Sequence, residues 1–161
     1  NAFHAPSPGT GIGSDAPSML VLLPHSLNAP GAADLPALEI GGTEMPSVRM
    51  DDSFVHGSGD ERPIVLLLGC STALPDIPFL SFVREFRFNG AAVTVGTLAT
   101  IRGRQTVEFV KEFLAQLKDV AQQGLTFDEA ILRVKRRMLA KGDPFVLSLV
   151  AYGDTGWRVR M

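Results

Sequence analysis

A chain of 161 residues, 45% hydrophobic and 20% charged, has the size and make-up of one globular domain with one core. Its net charge of −2 gives no electrostatic reason to expect a nucleic acid or a membrane surface as partner. The single cysteine rules out an internal disulfide and any multi-cysteine zinc site, and no apolar run reaches the ~18–20 residues of a membrane span.

Taken in chain order, residues 1–17 are rich in Gly, Pro, Ser and Ala and read as a linker or flexible loop, with the folded domain over 18–161. The start NAFHAPSPGTGIGSDAPS lacks the basic beginning and apolar centre of a signal peptide. With one unpaired cysteine, a reducing, cytoplasmic setting is expected. GTGIG (9–13) has glycines spaced like a phosphate loop but no strand before it and no helix after it, so it reads as linker. SMLVLLPHS (18–26) predicts a short buried strand that ends at His25. LNAPGAADLP (27–36) predicts a loop, and ALEIGGTEMPSVRM (37–50) a small hairpin around Gly41–Gly42. After a polar, turn-forming stretch over 51–62, PIVLLLG (63–69) is a strand without polar alternation, the pattern of burial on both faces.

PFLSFVREFRFN (78–89) places Phe79, Phe82 and Phe86 at helical spacing and stops at Asn89–Gly90. AAVTVGTLA (91–99) predicts another strand. Residues 103–124 predict an amphipathic helix with a stripe of Val107, Val110, Leu114, Leu117 and Val120. Thr126 and Glu129 have capping-box spacing for a second helix, with Ile131, Val134 and Met138 inward and Arg133, Arg136, Arg137 and Lys141 on a solvated face. PFVLSLVAYGD (144–154) predicts the last strand. Aliphatic strands separated by helices give an α/β fold with a mostly parallel sheet and helices on both faces. Four main strands are few for such a sheet, and the chain does not begin with Met. The expectation is a domain completed by residues that precede this chain.

In parallel sheets, reactive groups collect at the carboxyl ends of strands. Two such ends carry His25 and Cys70. A thiol needs a base or a cationic neighbour to become a thiolate, and an imidazole is both and can later protonate a leaving amine. Gly69 lets the backbone approach closely there, and the amides of Cys70 and Ser26 are candidate donors to an oxyanion. Ser71 and Thr72 are expected to cap the next loop or helix. Alone, a buried free cysteine is a common core residue and a lone histidine is more often structural; the paired placement is what favours a dyad. His4 and His56 lie in polar, turn-like segments, with His56 the spare imidazole. No three residues make a metal cluster, and no metal or organic cofactor is expected.

The order of pieces resembles the CHAT domains, caspase-like cysteine peptidases related to caspases and separase. LVLLPHS with His25, LPALEIGG, IVLLLGCSTA with Cys70, FVREFRFNGAAVTVGTLATI and FVLSLVAYGD come one after another as that family's elements do, from about residue 18 to 157. His25 stands 45 residues before Cys70, close to the roughly 50-residue spacing of caspase sites. The resemblance implies a protein or peptide substrate, Cys70 as nucleophile and His25 as general base and acid. It also implies a regulatory or sensor domain as partner and, for some members, a role in bacterial antiphage defence. Ser26 stands where the family usually has Gly, and the elements before the His strand are absent, so the chain corresponds to the C-terminal half to two-thirds of such a domain. Asp34, Glu39 and Asp76 are acidic residues near the expected cleft mouth. Two alternatives stay open: an inactive caspase-like interaction scaffold, and a flavodoxin-like binding domain with a structural or redox-sensing cysteine.

Overall fold

The computed structural model describes residues 19–28, 36–50, 55, 62–70, 72, 82–99, 101 and 103–158. The linker expected over 1–17 with its GTGIG segment, and His4, Asp34, His56, Ser71, Asp76 and Phe79, lie outside the described residues.

Four strands form the main sheet in the order β1 (Met19–Leu22), β5 (Ile64–Leu67), β6 (Val93–Thr97), β7 (Leu149–Gly153). The first three run parallel and β7 runs antiparallel to β6. This is the mostly parallel α/β sheet expected, with an antiparallel edge. Ile64, Leu66, Val93 and Val95 face a core built by α2 (Gly103–Gln122) and α3 (Phe127–Ala140). Val65 and Leu67 face a second core with Leu22, with Phe82, Val83 and Phe86 of α1 (Phe82–Phe88), and with Leu38. Alternate side chains of one strand thus enter two cores, which is why β5 shows no polar alternation.

Leu38 belongs to a separate antiparallel sheet of β2 (His25–Asn28), β3 (Pro36–Ile40) and β4 (Thr43–Pro46). The expected hairpin is its β3–β4 half. Gly41 and Gly42 have φ of +60° and +80°, the doubly left-handed turn whose twist matches two antiparallel strands. β2 corrects the expectation of one strand over 18–26 and a loop after it. Pro24 ends the aliphatic run, so β1 closes at Leu22 and His25 opens a new strand; Leu27, Asn28 and Pro36, expected in the loop, are paired strand residues.

α2 is also rotated relative to the expected stripe. Val107 and Leu114 are exposed, while Phe109, Phe113 and Val120 are fully buried and Val110 and Leu117 partly so. Two phenylalanines on one side outweigh Val107 and Leu114 in apolar area. Their rings stack 5.6 Å apart, and each also meets an edge-on ring, Phe145 at 6.1 Å and Phe127 at 5.7 Å. α3 is as expected, with Ile131, Val134 and Met138 buried and the Glu129 carboxylate accepting from the Thr126 N–H at 2.9 Å. The final segment is not one strand. The Asp143 carboxylate accepts from Phe145 N at 3.0 Å and Pro144 opens a 3₁₀ turn over Pro144–Ser148 before β7 begins.

Arg62, just before β5, pairs with Asp154 at 3.7 Å and sits 4.7 Å from the centre of the Trp157 ring. Arg87 donates to the carbonyls of Ala91 and Ala92; burial, then the nearby Arg62 charge, lower its pKa. Of the basic face on α3, Arg137 and Lys141 are not merely solvated. They hold Glu112 of α2 at 3.2 and 2.9 Å. The Lys141 hydrogen bond, with Arg137 assisting against burial, keeps Glu112 below the ordinary carboxylate range. A carboxylate depressed on folding contributes stability above its unfolded value of about 4.3 and loses it as pH falls through the lower folded value. Glu112→Gln is therefore expected to lower the urea midpoint at pH 7 and to reduce its fall between pH 5 and 3; an equal acid response in both proteins contradicts this.

Candidate functional site

The register of the parallel strands sets where the two candidate residues leave the sheet. Leu22 pairs with Leu67, and Leu68 N donates to Leu22 O at 2.9 Å. Two residues further along each chain, Pro24 meets Gly69. A Cβ built on Gly69 would lie 2.2 Å from the Pro24 carbonyl oxygen and 2.9 Å from its Cγ. His25 and Cys70 are the next residues on the two chains, each three positions beyond a paired leucine. Neither is the last residue of its strand, contrary to expectation. They occupy equivalent offsets past β1 and β5 at the carboxyl edge.

Cys70 is half-buried and its Sγ lies 3.8 Å from the Ile101 carbonyl, a long S–H···O contact. On that side the thiol is walled by the segment joining β6 to α2. On the other side the chain passes Pro24 into β2, where His25 is in register with Glu39, and Ser26 with Leu38. Glu39, the one described member of the three acidic candidates, is thus the cross-strand neighbour of His25, and it is half-buried. The side chains of His25 and Ser26 lie outside the described residues.

Between these walls, the turn after β5 is fixed by hydroxyls. Thr72 Oγ1 donates to Leu67 O at 2.7 Å and accepts from Thr97 N at 3.0 Å. Thr97 Oγ1 donates to the Gly69 carbonyl and accepts from Thr72 N at 3.4 Å. The Thr72 hydroxyl reaches back to its own strand and across to β6; the segment over 73–81 that it is expected to cap lies outside the described residues. Thr97 was missed because VTVGT reads as an ordinary strand; its one signal is a hydroxyl at the carboxyl end of the strand beside β5.

What this arrangement can do is hold one half-exposed thiol at a fixed point, beside a chain segment carrying an imidazole residue. Among the described residues there is no group of three potential metal ligands, and no helix is long and apolar enough to cross a membrane. A groove of about 420 Å³ between α2 and α3, lined by Arg104, Glu108, Lys111 and Asp143 among others, includes none of Gly69, Cys70, Thr72 and Thr97. Its acids are largely engaged: Glu112 with Arg137 and Lys141, and Asp143 with Phe145 N.

Because backbone, rather than a flexible side-chain tip, blocks position 69, Gly69→Ala must push Pro24 and the turn apart. The expected cost is about 1–3 kcal/mol in chemical denaturation. A neutral substitution would show that the Pro24–Gly69 approach is not fixed.

No family model and no curated protein matches the chain.

Proposed function

We propose that the chain is the C-terminal part of a caspase-like, CHAT-type cysteine endopeptidase that cleaves protein substrates with Cys70 and His25. The observation that carries this reading is the Pro24–Gly69 contact, which sets His25 and Cys70 at equal offsets past paired parallel strands. The half-buried state of Cys70 and its rigid turn agree with a nucleophile more than with a core thiol sealed from substrate.

In this reading His25 takes the thiol proton and the sulfur attacks the scissile carbonyl carbon, whose π pair moves to oxygen. The amides of Cys70 and Ser26 hold that oxyanion. Collapse breaks the C–N bond, the amine leaves with the proton from His25, and a thioester remains. Water, deprotonated by His25, then attacks the thioester and releases the carboxylic acid and the thiol. Apart from the substrate and the attacking water, the groups in these steps are the protein's own. The resemblance further supports a regulatory or sensor partner and, as in some members of that family, antiphage defence; the single cysteine supports a cytoplasmic setting. Ser26 in place of the family's glycine favours one second reading, an inactive interaction scaffold of the same fold.

Incubation with a proteome-derived peptide library, and then mass spectrometry of new amino termini, separates the two. Wild type is expected to cut at a recurring sequence. Cys70→Ala is expected to lower the rate by roughly 10³-fold or more and His25→Ala by about 10²-fold or more, with unchanged circular dichroism. Cleavage that survives Cys70→Ala overturns the mechanism; a folded wild type that cuts nothing favours the scaffold.

A further inference from the structure

At the end of the sheet away from the thiol, where β5 and β6 begin and β7 ends, three charged residues converge on Ala92. Arg87 Nη1 donates to the Ala92 carbonyl and to that of Ala91. Asp154 N donates to the same Ala92 carbonyl at 3.0 Å, and Ala92 N donates at 2.8 Å to the carbonyl of Pro63, the neighbour of Arg62. The packing is close: a Cβ built on Gly153, whose φ is +121°, would lie 2.6 Å from both Arg87 Nε and the Ala92 oxygen. Glycine at 153 is what lets the Arg87 guanidinium lie against the backbone. Arg62, for its part, is seated 4.7 Å from the centre of the Trp157 ring.

The charges in this cluster do not balance. Arg62 and Arg87 bring two positive charges, and Asp154 brings one negative. Arg87 is held by neutral carbonyls; burial, then the Arg62 charge, lower its pKa, and Asp154 offsets them only in part. Asp154 Oδ2 stands 3.7 Å from Arg62 Nη2, an ion pair longer than a hydrogen bond. Arg62 Nε is sealed from solvent and has no hydrogen-bond partner among the described residues. A buried donor without an acceptor carries its full desolvation cost. Two like charges held within each other's field, with a donor left over, are what one further anion satisfies. A carboxylate brings the cluster to neutrality, whereas a dianion would overshoot beside Asp154. A carboxylate also matches the planar fork of a guanidinium.

We propose that Arg62 and Arg87 form a binding site for one carboxylate at the amino edge of the sheet, carried either by a small acid or by a side chain of an acidic peptide. Arg62 donates to the ligand and Arg87 supplies the second positive charge. Asp154 competes with the ligand for both, and so limits how tightly it is held. The inference uses neither Cys70 nor His25 and stands apart from the peptidase reading, since the site lies at the other end of β5.

Trp157 is the only tryptophan in the chain, so its emission reports on the site. Two probes with one carboxylate each, sodium acetate and N-acetyl-Ala-Glu-Ala-amide, are titrated against the chain at constant pH. Both are expected to move the emission to a plateau that sodium chloride at matched ionic strength does not produce. Arg62→Gln is expected to lose the plateau. Asp154→Asn is expected to bind both probes on the order of 3- to 10-fold more tightly, because the competing charge is gone. If Arg62 and Asp154 only brace each other, Asp154→Asn loosens the cluster and gains no affinity, which overturns the proposal. So does a wild type that responds equally to chloride or reaches no plateau, and so does a plateau that survives Arg62→Gln. Should Arg62→Gln not fold, the partly exposed Asp154 carries the test, because gain or no gain in affinity decides it. A tripeptide that binds at least about 10-fold more tightly than acetate identifies a peptide as the source of the carboxylate; near-equal affinities identify a small acid.

Discussion

β5 has no side that meets solvent. Ile64 to Leu67 are 3, 0, 0 and 0% exposed, with β1 on one edge and β6 on the other. Two cores and two ladders converge on these four residues, so their position is the reference for everything else. A slip of one residue would exchange the contents of the two cores, at a cost spread over every buried side chain of the strand. That is why a feature three residues past Leu67 can be held to a fixed place although it lies in a turn.

The two ends of β5 are held by different physics. At the amino end the anchors are ionic and aromatic: Arg62 with Asp154 and Trp157, and Arg87 on the Ala91 and Ala92 carbonyls. Arg62 and Asp154 are partly exposed, so salt screens them and their contribution is modest. At the carboxyl end the anchors are neutral hydroxyls in a buried exchange with the backbone, where no water competes and salt has little effect. The end that carries the thiol is therefore the one whose geometry is less sensitive to ionic strength.

Much of this was legible in the sequence because it depends on burial and spacing. The unbroken aliphatic run of 64–67, the Gly41–Gly42 turn and the Thr126–Glu129 cap each have a local cause that the residues themselves carry. Three features did not. The rotation of α2 depends on which rings Phe109 and Phe113 find across the core, and Phe127 and Phe145 come later in the chain. The strand β2 is polar and short, and exists because β3 offers it a ladder. Thr97 looks like any β-branched strand residue until its neighbour across the sheet is known to be the turn after β5. Of the candidate site, the backbone placement of His25 and Cys70 at one sheet edge was legible; the hydroxyl lock and the separate sheet bearing His25 were not, since both arise from contacts distant in sequence.

The close approach at Gly69 makes two distant positions into one unit of inheritance. Pro24 fixes its own φ through its ring and presents its carbonyl to a residue that has no room for a methyl group. A larger residue at 69 requires the chain at 24 to retreat, and a retreat there moves the start of β2 with it. Drift at either site is thus not independent of the other, and a lineage that kept this edge would be constrained to keep both or to replace both together.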